Sequence, residues 1–413
     1  MIPYLIVFAA SAGVVLVATP LVRLLSLRLG WIDHPSDRKV HPKSTPTVGG
    51  LAIFAGVLAG LAVARAIPEF STLAKGSSDA QAALLAGFVV VLVGALYDVR
   101  GLSVPAKVAG QILAAGLLIL AGVQLVYFWF PGQGILSLSP DLQVALSVLW
   151  VVAMINAVNL IDGLDGLAAG MVAIAAIAFF IYMYMAPGQF GATSPAALLS
   201  AIVAGAAIGF LPWNFHPARI FMGDSGAMLL GLMLGVATIA GVGRNAYPPS
   251  GGDLAAFSIP VVVPLVVLAI PFLDVCLAIV RRLRSHRKVT APDKEHLHHR
   301  LLEIGHTHRQ AVLLMYLWSA LISGSALAVA LINGRPFVGG ILGVALLLFL
   351  VTAVPRARGA GVTGRARRNG GGKHRAGGGN GNGRSDASAL SGVAPDPGSP
   401  ASPAVGQKGS PEA

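Results

Sequence analysis

Apolar runs of about 20 residues, following one another with only short polar loops between them, constrain this chain more than any other feature. A helix needs about that length to cross the ~30 Å hydrocarbon core of a bilayer. Inside that core the backbone must satisfy its own hydrogen bonds, which a helix does within one segment. Eleven runs fall near residues 4–22, 50–67, 82–97, 107–123, 142–158, 167–186, 196–212, 226–242, 257–280, 310–332 and 337–354. They predict an all-α integral membrane protein, a polytopic bundle of about 11 transmembrane helices with no visible inverted repeat. Only 11% of the residues are charged, and mean hydropathy is +0.76, whereas a soluble domain carries about 25% charged residues. The first run begins almost at Met1 with no basic stretch ahead of it, which predicts a first helix that is kept rather than a cleaved signal. The single cysteine, Cys276, lies in an apolar run, so an intrachain disulfide and a metal–thiolate cluster are excluded.

Charge sets the expected orientation. With the N-terminus outside and the C-terminus cytosolic, all but four of the 29 lysines and arginines fall on the cytosolic side; the four are Arg65, Lys75, Arg244 and Arg335. That bias is the positive-inside rule at work. Two parts follow: residues 1–355 are membrane-embedded, and 356–413 form a Gly/Ser/Pro/Arg-rich cytosolic tail. Apolar side chains in the tail are too sparse to offset chain entropy, so it is expected to be disordered. Its arginines either lie against anionic headgroups or only solubilise it.

This topology sorts the polar residues by side. Asp33, Asp37, Asp98, Asp162, Asp165, Asp224, His296, His298 and His299 all come out cytosolic, on five separate loops, while the outer loops carry single acids at Glu69, Asp79, Asp141 and Asp253. A solute carrier would place its ionisable groups near the midplane on broken helices; this asymmetry favours a reaction at the cytosolic surface. The densest loop is Asn159-Leu160-Ile161-Asp162-Gly163-Leu164-Asp165-Gly166. A buried charge in a membrane helix costs roughly 2.5–3.5 kcal/mol, so two carboxylates here point to a cation or to an anion held by one. The alternative is a turn whose aspartates cap the next helix.

In Trp213–Gly226, Gly-Asp-Ser-Gly opens a span, offering the Asp224 carboxylate and free backbone N–H groups, an arrangement that favours phosphate and Mg²⁺. Arg219 adds a fixed positive charge and Phe221 a flat face for a base; a simple helix cap is the bland alternative. His296, His298 and His299 do not share one helical face and lack a zinc-type partner, so contacts to phosphate oxygens suit them better than zinc. A solvated stretch of a basic loop would look the same. The loops around Lys43 and Lys107 are unremarkable alone, and Asp274 inside the ninth run either reaches the site or pairs within the bundle.

Together these segments resemble the polyprenyl-phosphate N-acetylhexosamine-1-phosphate transferases, glycosyltransferase family 4, over roughly residues 1–355. Five motifs in order carry the resemblance: Lys43 with Thr45-Pro46-Thr47-Val48-Gly49-Gly50, Asp98 with Lys107, Asn159 with Asp162 and Asp165, Asn214 with Phe221 and Asp224, and His296-Leu297-His298-His299. The resemblance implies a membrane-embedded transferase domain at 1–355, in the cell membrane and with its site facing the cytosol. It also implies transfer of a sugar phosphate from a UDP-sugar to a polyprenyl phosphate, with Mg²⁺ (or Mn²⁺ in its place) and release of UMP. Asp224 would be the metal ligand. Asp98, Asp162, Asp165, Lys107, His298 and His299 would form the catalytic set. Lys43, Asn159, Asn214, Arg219, Phe221 and His296 would bind substrate, with Phe221 on uracil and Asn214 and Asp165 near the nucleoside. The His-Leu-His-His pattern is similar to the branch that uses UDP-N-acetylglucosamine, rather than the branch that uses UDP-MurNAc-pentapeptide. A homodimer would suit the family, and no nucleic-acid partner is expected.

One position departs from the family pattern. Most members carry Asp-Asp where this chain has Tyr97-Asp98. A lipid monophosphate has a second pKa near 6 and is mostly dianionic at neutral pH, so loss of one carboxylate need not disable the acceptor. The expected chemistry is one in-line displacement, with a route through a covalent carboxyl-phosphate as its rival and Asp98 orienting the acceptor or a site lysine. A transporter of nucleotide or lipid-linked sugars, or an idle binder of donor or lipid, are the competing functions.

Overall fold

The computed structural model describes residues 1–33, 44–71, 73, 79–130, 134–185, 194–243 and 305–332. Expectations for Lys43, His296, His298, His299, the runs near 257–280 and 337–354, and the tail fall outside these residues. The described chain is mostly helical: α1 (Ile2–Leu29), α2 (Gly50–Ala66), α3 (Asp79–Arg100), α4 (Val104–Leu120), α5 (Pro140–Ile161), α6 (Leu167–Met185), α7 (Pro195–Asn214), α8 (Gly223–Thr238) and α9 (His308–Ile332). Seven helices among the described residues are long and apolar enough to cross a membrane; α2 and α4 are shorter apolar helices of 17 residues. Two antiparallel strand pairs were not foreseen: β1 (Ile32–Asp33) with β2 (Thr45–Pro46), and β3 (Tyr127–Phe130) with β4 (Gly134–Ser137).

Helices α6, α7 and α8 are buried along most of their length, whereas α1 and α9 present long exposed apolar faces. Lipid is as apolar as leucine, so helices in a bilayer gain little from hiding leucine and associate by close packing instead. The sequence provides for this with small residues. Gly205 and Gly209, one turn apart on α7, face the backbone of Phe8 and Ala12 on α1, with no room for a Cβ at either position. Polar side chains pair across helices: Asn156 Nδ2 donates to Gln111 Oε1 at 2.7 Å, and Trp150 Nε1 donates to Thr238 Oγ1 at 2.8 Å.

Near the start of α8 the backbones come closest. A Cβ on Gly94 of α3 would lie 2.5 Å from Ser225 Cα, and one on Gly50 of α2 would strike the backbone of Ser225 and Gly226. The stretch before α2 is also fastened to the stretch before α8: Phe221 N donates to Pro46 O (2.8 Å), Gly49 N to Phe221 O (3.0 Å) and Gly50 N to Met222 O (3.1 Å). The Gly49-Gly50 pair of the first motif thus permits a backbone approach that locates Asp224.

Candidate active site

Helix α8 begins without a side-chain cap of its own, Met222 standing at the N-cap position. Four N–H groups at a helix start lack intrahelical partners, and α3 supplies an acceptor from outside. Asp98, in the last turn of α3, accepts from Asp224 N at 2.9 Å, Ser225 N at 3.2 Å and Ser225 Oγ at 3.1 Å. The sequence leaves these amides open to phosphate, whereas in the structure a carboxylate 126 residues away occupies those of Asp224 and Ser225. Asp98 therefore fixes the helix end that carries Asp224, and its partners here are that helix end rather than a lysine.

Asp224 is the hub. Its Oδ1 accepts from Asn159 Nδ2 at 2.9 Å, and its Oδ2 forms an ion pair with Lys107 Nζ. Lys107 also donates to Asn159 Oδ1 at 2.8 Å, closing a three-membered network. The lysine stands in the first turn of α4, which Ser103 caps by accepting from Ala106 N, and only 11% of its side chain is exposed. An ammonium this buried needs a charged partner, and Asp224 supplies it. The Nζ also lies 4.7 Å from the centre of the Tyr97 ring. Asp98, Lys107, Asn159 and Asp224 all stand where their helices end or begin, so the charges gather at one end of the bundle.

The 162–166 turn forms the adjoining wall. Gly166 has φ 81°, a left-handed conformation that glycine adopts without strain. Its N–H donates to Asn214 Oδ1 at 3.0 Å, Asn214 Nδ2 donates to Ile220 O at 3.1 Å, and Tyr316 OH donates to Gly166 O. Asn214 is buried, its amide tying the turn to the 214–220 segment. Asp162 is held differently. Desolvation first, and then the negative charges of Asp224, Asp98 and Asp165, push its carboxyl up to about 8. The fold therefore favours the protonated, uncharged form of Asp162.

Asp165 turns the other way. Its Oδ2 meets His216 Nδ1 at 2.7 Å and accepts from Ala218 N at 3.1 Å, and the His216 ring stacks on His308 with centroids 4.2 Å apart and planes 14° apart. Ligand-type atoms of the three residues lie within 4.8 Å of one another. Imidazole lone pairs lie in the ring plane, so two parallel stacked rings cannot both aim at one ion. The cluster reads instead as a latch joining the turn, the segment after α7 and the start of α9, where Arg309 Nε donates to His216 O at 3.0 Å. Phe221 is half-buried three residues before Asp224 in the chain, while Arg219 is exposed over the Trp213 ring at 5.5 Å. The sequence singles out neither His216 nor His308, because they stand 92 positions apart and no spacing links them. Ser225 lies inside the Gly-Asp-Ser-Gly motif, but nothing local marks its hydroxyl as a partner of Asp98.

Comparison with known proteins bears on the same stretch of chain. The profile of glycosyl transferase family 4 matches residues 80–242, the stretch containing Asp98, Lys107, Asn159, Asp162, Asp165 and Asp224. The chain is 39% identical over 349 residues to a decaprenyl-phosphate N-acetylglucosaminephosphotransferase of Mycobacterium tuberculosis, covering 83% of this chain and 86% of that one. The corresponding protein of Mycolicibacterium smegmatis is 40% identical over 351 residues, with the same coverage. A probable undecaprenyl-phosphate N-acetylglucosaminyl 1-phosphate transferase of Bacillus subtilis is 35% identical over 327 residues, 79% of this chain and 85% of that one.

Proposed function

Because the chain belongs to glycosyl transferase family 4, among the polyprenyl-phosphate N-acetylglucosamine-1-phosphate transferases, we propose that it transfers N-acetylglucosamine 1-phosphate from UDP-N-acetylglucosamine to a membrane polyprenyl phosphate and releases UMP. The observation that carries this reading is the Asp224 hub: a carboxylate at a helix start, paired with a buried lysine and bridged to it by Asn159.

The oxygen donors fit Mg²⁺, which takes carboxylate ligands and keeps much of its water. Asp224, its oxygens shared with Asn159 and Lys107, would hold it together with Asp162, while Asp98 is turned to the α8 start. Bound there, it would supply positive charge to the donor's diphosphate and to the departing UMP. The chain's own residues do the rest. Lys107 brings a buried positive charge that offsets the approach of two anionic phosphates. Asn159 holds Lys107 and Asp224 together, and Asp98 keeps the α8 start from drifting. The acceptor needs little activation, being largely dianionic at neutral pH, so one in-line displacement is favoured. A carboxylate accepting three hydrogen bonds, as Asp98 does, is a poor candidate for a phosphorylated intermediate.

We place the N-terminus outside and the site on the cytosolic side of the cell membrane, in a bundle of 11 spans. The distribution of lysine and arginine supports this. Purified protein in detergent with UDP-N-acetylglucosamine, Mg²⁺ and polyprenyl phosphate should release UMP, with release failing when either Mg²⁺ or the lipid is omitted. UMP release that ignores the lipid would refute the transfer.

Asp162 gives a second test. An acid with a higher pKa folded than unfolded keeps a proton in the fold that the unfolded chain has lost. Stability from this group is therefore full below the ordinary aspartate value, about 3.9, and falls as pH rises toward 8. A cation at Asp162 displaces that proton. Adding Mg²⁺ at pH 7 in weak buffer should release protons, read with a pH indicator, and Asp162→Asn should reduce the release. Mg²⁺ binding by the unaltered chain without proton release would remove Asp162 from the ligand set.

A further inference from the structure

We propose that Tyr97 is a positioning residue for Lys107, the face of its ring holding the ammonium against Asp224 and Asn159. The Nζ lies 4.7 Å from the ring centroid, inside the ~6 Å range over which a ring quadrupole attracts a cation. Its other neighbours are Asn159 Oδ1 and Asp224 Oδ2. The ammonium is thus bounded by two oxygens and one aromatic face. The last turn of α3 consequently acts in two directions: Asp98 fixes the helix that bears Asp224, and Tyr97 fixes the lysine that pairs with it.

The chemistry of the two possible neighbours differs. A carboxylate at position 97 would pair with Lys107, neutralise it and compete with Asp224 for it. A ring attracts the cation without adding a second negative charge, so the pairing of Lys107 with Asp224 is left undisturbed. Tyr97 therefore holds the lysine through the face of its ring and not through charge. The inference rests on the reading of Lys107 as the cation that meets substrate phosphate.

The test uses full-length protein carrying Tyr97→Phe, Tyr97→Leu, Lys107→Ala and the Tyr97→Leu/Lys107→Ala pair. Acetylation of Lys107 by an amine-reactive ester, followed by mass spectrometry without substrate, reports how well the ammonium is held. Tyr97→Leu should label several-fold faster than the unaltered chain, and Tyr97→Phe within twofold of it. In turnover, Tyr97→Leu should lose about tenfold in kcat with the KM for donor within twofold, while Tyr97→Phe stays within twofold in both. In the Lys107→Ala background the Leu penalty should vanish, because the residue acts through the lysine. Equal behaviour of Phe and Leu, or a full Leu penalty without Lys107, would overturn the proposal. Where Leu lowers the melting temperature, Tyr97→Met keeps bulk without a π face. Should the unaltered chain release no UMP, the functional reading fails while the labelling comparison still decides the role of Tyr97.

Discussion

Asp224→Ala is expected to cut UMP release about a hundred- to a thousandfold, the scale seen when a preorganised charged group is taken from a site where charge develops. The same change strands Lys107, whose side chain is only 11% exposed, without its counter-charge. Breaking a buried ion pair from one side costs about 3–5 kcal/mol, so the melting temperature should fall as well, and a bare activity loss would be ambiguous. Two further variants resolve it. Asp224→Asn keeps the shape and an oxygen for Asn159 but not the charge, and should be as inactive as the alanine. Asp224→Ala/Lys107→Ala removes both charges and should recover most of the stability but none of the turnover. A recovery of turnover in the double variant, or near-normal rates with asparagine, would move the reacting centre elsewhere.

The second large effect concerns Asp98. Asp98→Ala leaves the amides of Asp224 and Ser225 without their acceptor, and the Ser225 hydroxyl with only the long bond to Met222 O at 3.4 Å. Each buried unsatisfied donor costs about 1–3 kcal/mol, so several kcal/mol should be lost and the α8 start should shift. Turnover should drop about a hundredfold by displacement of Asp224 alone. Asp98→Asn retains one oxygen able to accept from the helix start. It should keep stability within about 1 kcal/mol of the unaltered chain and lose roughly tenfold in rate. Thermal unfolding of the three proteins checks this, and equal destabilisation by Asn and Ala would exclude the capping role.

The apolar runs read most of the described helices, because a bilayer requires long stretches of one character. Their edges were less legible. The first run covers 4–22, but α1 extends from Ile2 to Leu29 and includes Arg23 and Arg28, since a helix continues through the interface where hydropathy no longer marks it. The strand pair at Tyr127–Phe130 and Gly134–Ser137 passed as loop, being four residues a side. In the site, polar residues in apolar surroundings were conspicuous, so Asp98, Lys107, Asn159, Asp162 and Asp224 could be found one by one. Their division of labour was hidden, because it depends on contacts between distant helices. Nothing local tells an aspartate that caps another helix from one that meets a phosphate, and nothing in Asn214 announces that its amide is engaged on Gly166 and Ile220.

The hub around Asp224 also bears on how the chain is made. Its side chains come from α3, α4, α5 and α8, and the last of them arrives some 126 residues after the first. Until α8 has entered the membrane, Lys107 and Asn159 have no Asp224 to hold, and Asp98 has no helix end to cap. A nascent or truncated chain that stops short of α8 is therefore inert toward its substrates. Assembly of the Asp224 network thus waits for α8, and catalysis by the chain reports that membrane insertion has passed that helix.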